Sequence, residues 1–381
     1  MRRVGVITGN RADYGHLVPV LQGIRSSRVL NLRLFVTGMH LSEEFGRTAD
    51  FIRRDGIKPA AVLAKRAFDS TPEGTVHGIG RLVENLAKPL RTEAVDVLLL
   101  LGDRGEMLAG AIAATYLRIP IAHLHGGERT GDVDEPVRHA ISRLAHIHLP
   151  ATRESATRLK RGGEQPWRIH MVGSPRVDLI LHRKRPPRDK VLRAHGLNPR
   201  KPLILLVQHP TAKDRIRAGI LYRRTLSALL PTDANIVAMY PNGDPGSRDI
   251  IRVLKAFARR HPITVYPSLP EDEFLDLLSS ANVLVGNSSS GIIEAPSLKV
   301  PAINIGDRQK DRERAGNVID VPHDSTIIRK SVRKAIFDEK FRRKVARSRS
   351  PWGDGRATRR IVRILESVPF DEHLLEKHLT S

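Results

Sequence analysis

Residues 95–128 read VDVLLLLGDRGEMLAGAIAATYLRIPIAHLHGGE, and this stretch decides the fold class. Val95–Leu101 is a largely apolar run of strand length, Gly105–Tyr116 has the period of a helix, and Pro120–Leu124 is a second apolar run. Strand, helix and strand in this order, with strands that are apolar on both sides, predict a parallel βαβ unit covered by helices on both faces.

The same alternation of short apolar runs and amphipathic stretches continues along the whole chain. The other strand candidates are Val4–Ile7, Asn31–Val36, His146–Leu149, Leu203–Val207, Asn235–Met239, Ile263–Val265, Val283–Val285 and Pro301–Ile305. Helical periodicity marks Leu17–Ile24, Ile79–Leu90, Val137–Leu144, Ala218–Leu230, Ser247–Arg259, Pro270–Ser279 and Gly291–Ser297. We therefore predict an α/β protein with two Rossmann-like parallel-sheet domains.

One basic segment with two prolines separates the two halves of the chain. His182–Arg188 reads HRKRPPR and lacks apolar periodicity, which is typical of an exposed connection. A chain of 381 residues is also long for one domain and natural for two. We predict an N-terminal domain over residues 1–181, a C-terminal domain over 182–355, and a basic amphipathic helix in the tail, 356–381.

The composition excludes several classes of protein and site. The absence of cysteine excludes disulfides, thiolate metal sites, iron–sulfur clusters and cysteine nucleophiles, and it fits a reducing cytoplasm. No apolar run reaches the roughly 18–20 residues of a membrane span, and no secretory apolar core follows the N-terminus. We therefore expect a cytoplasmic protein with no membrane partner.

The formal net charge of +23 has three interpretations, of which nucleic-acid binding is the first. A nucleic-acid binder would cluster its basic residues and interleave aromatic ones, whereas aromatic residues make up only 4% of this chain and arginine is spread along it. We therefore predict no nucleic-acid partner. A diffuse arginine-rich surface is the second interpretation, and a positive field that concentrates phosphate-bearing small molecules is the third.

Ligands of open α/β sheets bind beyond the carboxyl ends of the strands, and the loops at these ends carry the acid/base candidates. Asp103 follows one strand and His125 follows the next, while Asp134 and Arg138 are four residues apart and share a helical face. In the second half of the chain, His209 follows a strand in the same way. Each of these residues also has a structural interpretation, as a helix cap, a capping pair or a core histidine, and the sequence leaves both open.

Two loops are candidate anion sites. Arg11 lies just after Gly9 at the start of a helix, where a guanidinium and backbone N–H groups favour phosphate. The segment 286–291, GNSSSG, also precedes a helix, and its hydroxyl and N–H groups are typical of a diphosphate cradle. Simple capped turns are the alternative for both loops.

Familiar cofactor and metal motifs are not supported. The first strand is not followed by GxGxxG, and GxxxxGK[ST] occurs nowhere, which argues against a nicotinamide enzyme and a P-loop nucleotidase. His123 and His125 form an HxH pair, and Asp132-Val133-Asp134 matches the short DxD pattern of metal-dependent sugar transferases. The HxH pair lacks a third ligand at a familiar spacing, and aspartate is favoured at a helix start anyway. We predict no metal and no cofactor.

These motifs, taken together and in order, resemble the UDP-N-acetylglucosamine 2-epimerase family, and in particular its hydrolysing branch of the sialic and legionaminic acid pathways. The resemblance covers roughly residues 4–321. The segments that carry it are NRADY at 10–14, GDR at 102–104, GGE at 126–128, RHA at 138–140, QHP at 208–210, GNSS at 286–289 and GDRQ at 306–309.

The resemblance implies a GT-B-like fold, with a nucleotide-sugar cleft between two Rossmann-like domains and a C-terminal helix that packs back on the first. It implies elimination and then hydration of a UDP- or GDP-linked 2-acetamido sugar, which releases the manno-configured sugar, and a homodimer or homotetramer. The implied catalytic residues are Asp103, His125, Asp134, Arg138 and His209. The implied substrate and nucleotide ligands are Arg11, Asp13, Arg104, Asn242, Ser288, Ser289, Ser290, Gly291, Glu294 (for the ribose) and Arg308.

One position departs from the family pattern. Members that act on N-acetylglucosamine typically have glutamate where this chain has His125, and the two side chains differ in charge and reach. Both the residue that takes the proton and the sugar therefore stay open, with a 2,4-diacetamido-6-deoxy sugar as an alternative substrate. A GT-B glycosyltransferase and a non-hydrolysing 2-epimerase are the alternative activities.

Overall fold

The computed structural model describes residues 1–43, 47–63, 71–131 and 133–380. Its strands are β1 Arg2–Thr8, β2 Leu30–Val36, β3 Ala61–Val62, β4 Val97–Leu101, β5 Ile121–Leu124, β6 Ile147–Leu149, β7 Leu203–Val207, β8 Asn235–Met239, β9 Ile263–Tyr266, β10 Val283–Gly286, β11 Ala302–Ile305 and β12 Val318–Val321.

The helices alternate with these strands. They are α1 Arg11–Ser26, α2 Ala49–Arg54, α3 Pro72–Thr92, α4 Gly105–Tyr116, α5 Asp134–Leu144, α6 Arg153–Arg161, α7 Pro175–His182, α8 Arg188–Ala194, α9 Ala218–Leu229, α10 Ser247–Ala258, α11 Glu271–Ser280, α12 Ser290–Ile293, α13 Ala295–Leu298, α14 Ser325–Phe337, α15 Glu339–Arg347, α16 Ala357–Ser367 and α17 Glu372–Leu375. None of the helices in the described part of the chain combines the length and the apolar character that crossing a membrane requires.

The strands form two six-stranded sheets, and every pair of neighbouring strands is parallel. The strand order is β3-β2-β1-β4-β5-β6 in the first sheet and β12-β11-β10-β7-β8-β9 in the second. Two doubly wound parallel sheets confirm the predicted fold class. In each sheet the chain order reverses at the central strands, which is where such folds bind ligands.

Strand β4 shows why these runs become central strands. Leu99 and Leu101 belong to the apolar cluster on one face of the sheet, and Leu98 and Leu100 belong to the cluster on the other. Because successive side chains of a strand point to opposite faces, an unbroken apolar run buries both faces at once. The helices around the sheet cover those two faces.

The chain divides into two compact units. One comprises Met1–Arg129, Val133–Leu179 and Trp352–Ser381, and the other comprises Thr130–Asp132 and Ile180–Pro351. Helix α7 ends at His182 and α8 begins at Arg188, so the basic proline segment lies between two helices of the structure.

The C-terminal segment is part of the first unit. Ile361 and Leu365 of α16 lie in the same core cluster as residues of α1, and a Cβ atom added at Gly23 would lie 2.9 Å from the Thr358 side chain. Further along, the buried Arg168 guanidinium donates to the backbone oxygens of Leu374 (2.7 Å) and Glu376 (2.8 Å). These bonds satisfy carbonyls at the end of α17 and fix the tail to this unit.

Candidate functional site

Strands β4 and β5 end side by side at one edge of the first sheet. They pair through Leu101 and Leu124, and the chain turns sharply directly after each strand, with φ of +79° at Gly102 and +63° at His125. Residues that follow these two strands therefore lie next to each other. This register brings the Asp103 loop and the His125 loop together.

The Arg138 side chain from α5 joins these two loops. It is fully buried, forms an ion pair with the partly exposed Asp103 carboxylate, and donates through Nη1 to the backbone oxygen of Glu128 at 3.2 Å. A buried guanidinium is stable only with an anion and further acceptors, and both are present. Asp134 lies one turn earlier on the same helical face, at the first residue of α5.

His125 is held by three neighbours. Its Nδ1 lies 2.5 Å from Oε1 of Glu128, and both side chains are buried. The indole of Trp352 lies nearly parallel to the imidazole, 14° between planes, and His16 meets it edge-on. The other ring nitrogen, Nε2, is buried and has no hydrogen-bond partner among the described residues.

Two glycines make this arrangement possible. A Cβ atom at Gly126 would lie 2.8 Å from Nδ1 of His123, and one at Gly127 would lie 2.5 Å from the backbone oxygen of Ser155. Gly127 also has φ of +77°, a conformation that favours glycine. The glycines let the chain fold back within three residues, so that Glu128 reaches the ring of His125.

The loop after β1 is built around a helix cap. Asn10 and Asp13 form a capping box at the start of α1, and the Asp13 carboxylate also accepts from the N–H of Gly9 (3.0 Å) and the Thr8 hydroxyl. Burial raises the pKa of Asp13 to about 7, against the lowering effect of these hydrogen bonds. Arg11, the first residue of α1, is partly exposed next to this buried carboxylate.

Arg104 and His123 complete the polar groups at this edge. The Arg104 Nε lies 3.2 Å from the buried Glu106 carboxylate. His123 bonds to the Gly102 carbonyl (2.7 Å) and the Ser142 hydroxyl (3.1 Å), and burial lowers the pKa of this imidazole to about 3. His123 is thus a neutral residue of the core. Within the described ranges, no group of three His, Asp or Glu side chains is arranged to hold a metal ion, and Asp132 of the DxD pattern lies outside those ranges.

In the second unit, Asn287 ties the loops at the ends of β10 and β7 together. Its Oδ1 accepts from the N–H of His209 at 2.7 Å, and its Nδ2 donates to the carbonyl of His209 at 2.9 Å. The carbonyl of Asn287 in turn accepts from Arg308 (3.3 Å) and Gln309 (3.1 Å) in the loop after β11. A single asparagine therefore connects three loops at the carboxyl edge of the second sheet.

The hydrogen bonds also assign the tautomer of His209. Its Nδ1 accepts from the backbone N–H of Asn242 at 3.0 Å, so a neutral ring carries its proton on Nε2. The imidazole therefore offers a donor at Nε2. Asn242 takes part through its backbone, in the loop after β8.

The serine loop leads directly into α12. Ser288 Oγ lies 3.2 Å from Ser290 Oγ and 3.3 Å from the N–H of Ser290, and Ser288–Ser290 are all partly exposed. Gly291 and Glu294 are buried behind them. A Cβ atom at Gly286 would lie 2.0 Å from the Val207 carbonyl, so the close approach of the two loops requires glycine there.

The predicted residues thus form one group in each unit. Asp103, His125, Asp134 and Arg138 gather at the carboxyl edge of the first sheet, with Arg11, Asp13 and Arg104 in the neighbouring loops. The second sheet gathers His209, Asn242, Ser288–Ser290, Gly291, Glu294 and Arg308 at its own carboxyl edge.

Sequence reasoning missed three contributors to these groups. Glu128 and Asn287 lie inside the quoted motifs, and the three-residue spacing of His125 and Glu128 was a usable signal for the pair. Trp352 comes from the C-terminal segment and had no local signal.

Comparison with known proteins places the chain in a family. The sequence profile of the UDP-N-acetylglucosamine 2-epimerase family matches residues 22–366. A protein of Legionella pneumophila described as "UDP-N,N'-diacetylbacillosamine 2-epimerase (hydrolyzing)" is 37% identical, with 99% of each chain covered. A UDP-N-acetylglucosamine 2-epimerase of Neisseria meningitidis is 33% identical, over 90% of this chain and 89% of the relative.

A solved structure shows the same fold. The crystal structure of UDP-GlcNAc 2-epimerase from Neisseria meningitidis bound to UDP-GlcNAc has a TM-score of 0.81 at 20% identity, and the match covers 97% of this chain and all of that one. The fold is thus of the GT-B-like class, made of two Rossmann-like parallel-sheet units. The chain itself belongs to the UDP-N-acetylglucosamine 2-epimerase family, as the resemblance of its motifs predicts.

Proposed function

We propose that this protein is a hydrolysing nucleotide-sugar 2-epimerase. Its substrate would be a UDP- or GDP-linked 2-acetamido sugar, either UDP-N-acetylglucosamine or a 2,4-diacetamido-6-deoxy relative. Its products would be the nucleoside diphosphate and the free manno-configured sugar. The observation that carries the proposal is the linked set of Asp103, Arg138, Glu128 and His125 at one strand edge, in a chain of this family.

The first step would be an elimination in the sugar. The proton at C2 leaves to a base, the C2–H electron pair forms the C1=C2 double bond, and the C1–O bond breaks with its pair going to the diphosphate. Because C2 has no neighbouring carbonyl, cleavage at C1 runs ahead and positive charge develops on the ring. Carboxylates near the ring, such as Asp103 and Asp134, stabilise that charge.

The second step would add one water molecule across the double bond. Hydroxide is gained at C1 and a proton at C2, on the face opposite to the one that was deprotonated, which inverts C2. Nε2 of His125 has no hydrogen-bond partner in the part of the chain that the structure describes, which supports this residue as one of the acid/base groups. One substrate and one water thus give one nucleoside diphosphate and one free sugar.

The residues of the second unit suit the departing diphosphate. Nε2–H of His209, the guanidinium of Arg308 and the hydroxyls of Ser288–Ser290 are all donors, and donors are what a phosphate oxygen requires. In this proposal Glu294 binds the ribose, and Arg11 adds a further contact to the nucleotide. No metal is assigned a role, since the arginines and helix ends provide positive charge.

The decisive experiment incubates the purified protein with a nucleotide sugar and no acceptor, in D2O. A hydrolysing epimerase releases nucleoside diphosphate and a manno-configured sugar with one deuterium at C2. A GT-B glycosyltransferase would leave the donor intact, and a non-hydrolysing epimerase would leave the nucleotide attached to the sugar. Either of those results would overturn the proposal.

The same assay identifies the substrate. UDP- and GDP-linked 2,4-diacetamido-6-deoxy sugars are compared with UDP-N-acetylglucosamine, because the 37% identical relative is named for a diacetylated sugar. A place in sialic or legionaminic acid biosynthesis follows from the sugar that is preferred. Assembly as a homodimer or homotetramer is proposed from the family resemblance alone and is measured by light scattering.

A further inference from the structure

We propose that Glu128 is a positioning residue that holds the imidazole of His125 through Nδ1 and thereby leaves Nε2 as the atom that exchanges the C2 proton. This inference rests on the proposed function, in which His125 is only one of several acid/base candidates. It gives the departure from the family pattern a physical explanation. A histidine can work at this glutamate position because Glu128, which belongs to the shared GGE motif, lies behind the ring and orients it.

The contact between the two side chains is the primary observation. Nδ1 of His125 and Oε1 of Glu128 are 2.5 Å apart, and only 4% of the His125 side chain and 1% of the Glu128 side chain are exposed. A carboxylate accepts but does not donate, so the proton of this bond belongs to Nδ1. The lone pair of the neutral ring is then on Nε2, which is the nitrogen without a partner among the described residues.

The surroundings fix the ring in this position. The Trp352 indole lies nearly parallel to the imidazole with the ring centroids 6.1 Å apart, and His16 meets it edge-on at 5.6 Å. The backbone N–H of His125 donates to the carbonyl of Leu149 at 3.2 Å. The backbone of His125 is left-handed, with φ of +63°, a strained conformation for a residue with a Cβ atom. The buried Nε2, for which the described residues provide no hydrogen-bond partner, adds a desolvation cost. Such costs are typical of functional sites.

The pair also balances the charge of the proposed step. When Nε2 takes the proton from C2 and the electron pair of the C1–O bond leaves with the diphosphate, the imidazole of His125 becomes an imidazolium cation. The Glu128 carboxylate at Nδ1 faces that cation directly and stabilises it. A neutral ring without this partner would be free to adopt the other tautomer, which places the proton on the wrong nitrogen.

The test replaces Glu128 and observes both rate and tautomer. Glu128→Gln keeps the shape of the side chain and removes the charge, and we expect kcat to fall about 10–100-fold with KM nearly unchanged. In the wild type, proton NMR of ¹⁵N-labelled protein should show a strongly downfield Nδ1–H signal of His125. That signal should move upfield in Glu128→Gln and disappear in His125→Gln.

A matched control comes from the same unit. Glu164 forms a buried pair with His148 at 2.8 Å and also pairs with Lys377 (2.7 Å) and Arg143 (3.1 Å), and the proposed function gives it no role. Glu164→Gln removes the charge of another buried carboxylate that is bonded to a histidine, so it lowers the stability while kcat stays within about twofold of the wild type. An equal loss of kcat in both variants would mean that Glu128 acts only on stability, and this would overturn the inference.

A double-mutant cycle completes the test. If Glu128 works through His125, Glu128→Gln has no further effect on kcat in a His125→Ala background, because the group that it positions is gone. Multiplied losses would place Glu128 in a separate role and overturn the inference. A wild-type protein without epimerase activity would defeat the proposed function, whereas the NMR signal and its dependence on Glu128 would still report on the pair.

Discussion

Asp103 and Arg138 form the buried ion pair of the candidate site, and their exposures differ. The Arg138 side chain is buried, whereas 21% of the Asp103 side chain is exposed. The Asp103 carboxylate can therefore contact a ligand while it stays paired with Arg138. Removing one partner of a buried ion pair lowers the stability of the protein by more than the intact pair contributes, because the other charge is left unpaired in a medium of low dielectric constant. The pair is therefore most informative when it is changed conservatively.

Asp103→Asn should lower turnover at least a hundredfold while the circular dichroism spectrum stays that of the wild type. The amide still accepts a hydrogen bond from Arg138 but lacks the charge that, in the proposed mechanism, stabilises a cationic sugar ring, and one such group is worth about 10²–10⁴ in rate. Release of nucleoside diphosphate measures the effect.

The matched control for Asp103→Asn is Asp96→Asn. Asp96 precedes β4 at its other end, where its carboxylate accepts from the N–H of Arg3 at 2.7 Å, and its loss should not change turnover. Near-normal turnover of Asp103→Asn would exclude this carboxylate from the chemistry.

Three buried neutral histidines should make the protein sensitive to acid. Burial lowers the pKa of His40 to about 3, that of His123 to about 3 and that of His146 to about 4. The unfolded chain takes up these protons near the ordinary pKa of about 6.5, so below that pH it binds more protons than the folded chain. The free energy of unfolding therefore falls as the pH drops from about 6.5 toward 3–4.

Asp13, whose pKa is raised to about 7, acts in the opposite direction, because its contribution to the stability is present at low pH and is lost as the pH rises to 7.

His146→Asn isolates one of these protons. The N–H of Ile121 donates to Nδ1 of His146 at 3.1 Å, and the Oδ1 of asparagine can accept the same bond without titrating. Between pH 4 and 6.5, the slope of unfolding free energy against pH should become shallower by at most about 1.4 kcal/mol per unit. Denaturant titrations at several pH values measure this slope. An unchanged slope would show that His146 titrates normally in the folded protein.

At the scale of elements, one of the closest backbone approaches lies where β10 meets the end of β7. Gly286→Ala would force a methyl group against the Val207 carbonyl and strain a φ of +128°, so the serine loop could not keep its place. We expect the free energy of unfolding to fall by well over the roughly 1 kcal/mol that strain alone costs, and the affinity for nucleoside diphosphate to fall at least tenfold.

Gly196→Ala is the matched control for Gly286→Ala. Gly196 lies in the same unit and has φ of +68°, but a Cβ atom there meets nothing within 4 Å. It should therefore cost only the strain and leave ligand affinity unchanged. Thermal unfolding and calorimetric titration with the diphosphate measure both variants, and equal effects would show that the contact with Val207 is not decisive.

The strands that the sequence predicts well are the buried, fully apolar strands of the parallel sheets. β4 and β7 are apolar at every position, and their runs were found to within two residues. The sequence did not reveal β3, which has only two residues, or β12, an edge strand whose Asp320 interrupts the run. Short edge strands owe their structure to pairing with a neighbour, which leaves little pattern in the sequence.

The parallel topology of the sheets predicts which loops of the candidate site lie together. Residues that directly follow neighbouring parallel strands lie at the same edge of the sheet, and this rule predicts from the sequence that Asp103 and His125 are close together. It does not reveal which side chains touch. The contact of Trp352 with His125 depends on where the C-terminal segment packs, and the role of Asn287 depends on the register between two loops.

At the scale of the whole molecule, the charge of +23 is less evenly spread than the sequence analysis suggested. Residues 329–349 of α14, α15 and the turn that follows contain ten lysines and arginines and two acidic residues, and those ten basic residues are all exposed. A positive field of this size attracts a substrate with two phosphates, and salt screens it over a Debye length of about 10 Å at 0.1 M.

Raising the ionic strength should therefore increase KM for the nucleotide sugar several-fold and leave kcat nearly unchanged. The reason is that the positive field acts on the approach and binding of the anionic substrate. The reacting groups, in contrast, are buried or closely paired, and salt screens such groups much less. Reversing two exposed charges, as in Arg329→Glu with Arg333→Glu, should raise KM at low salt and have no effect at high salt. The matched Arg→Lys pair keeps the charge and should behave as the wild type. A fall in kcat with constant KM would place the effect of salt in the chemical step and show that the field does not guide the substrate.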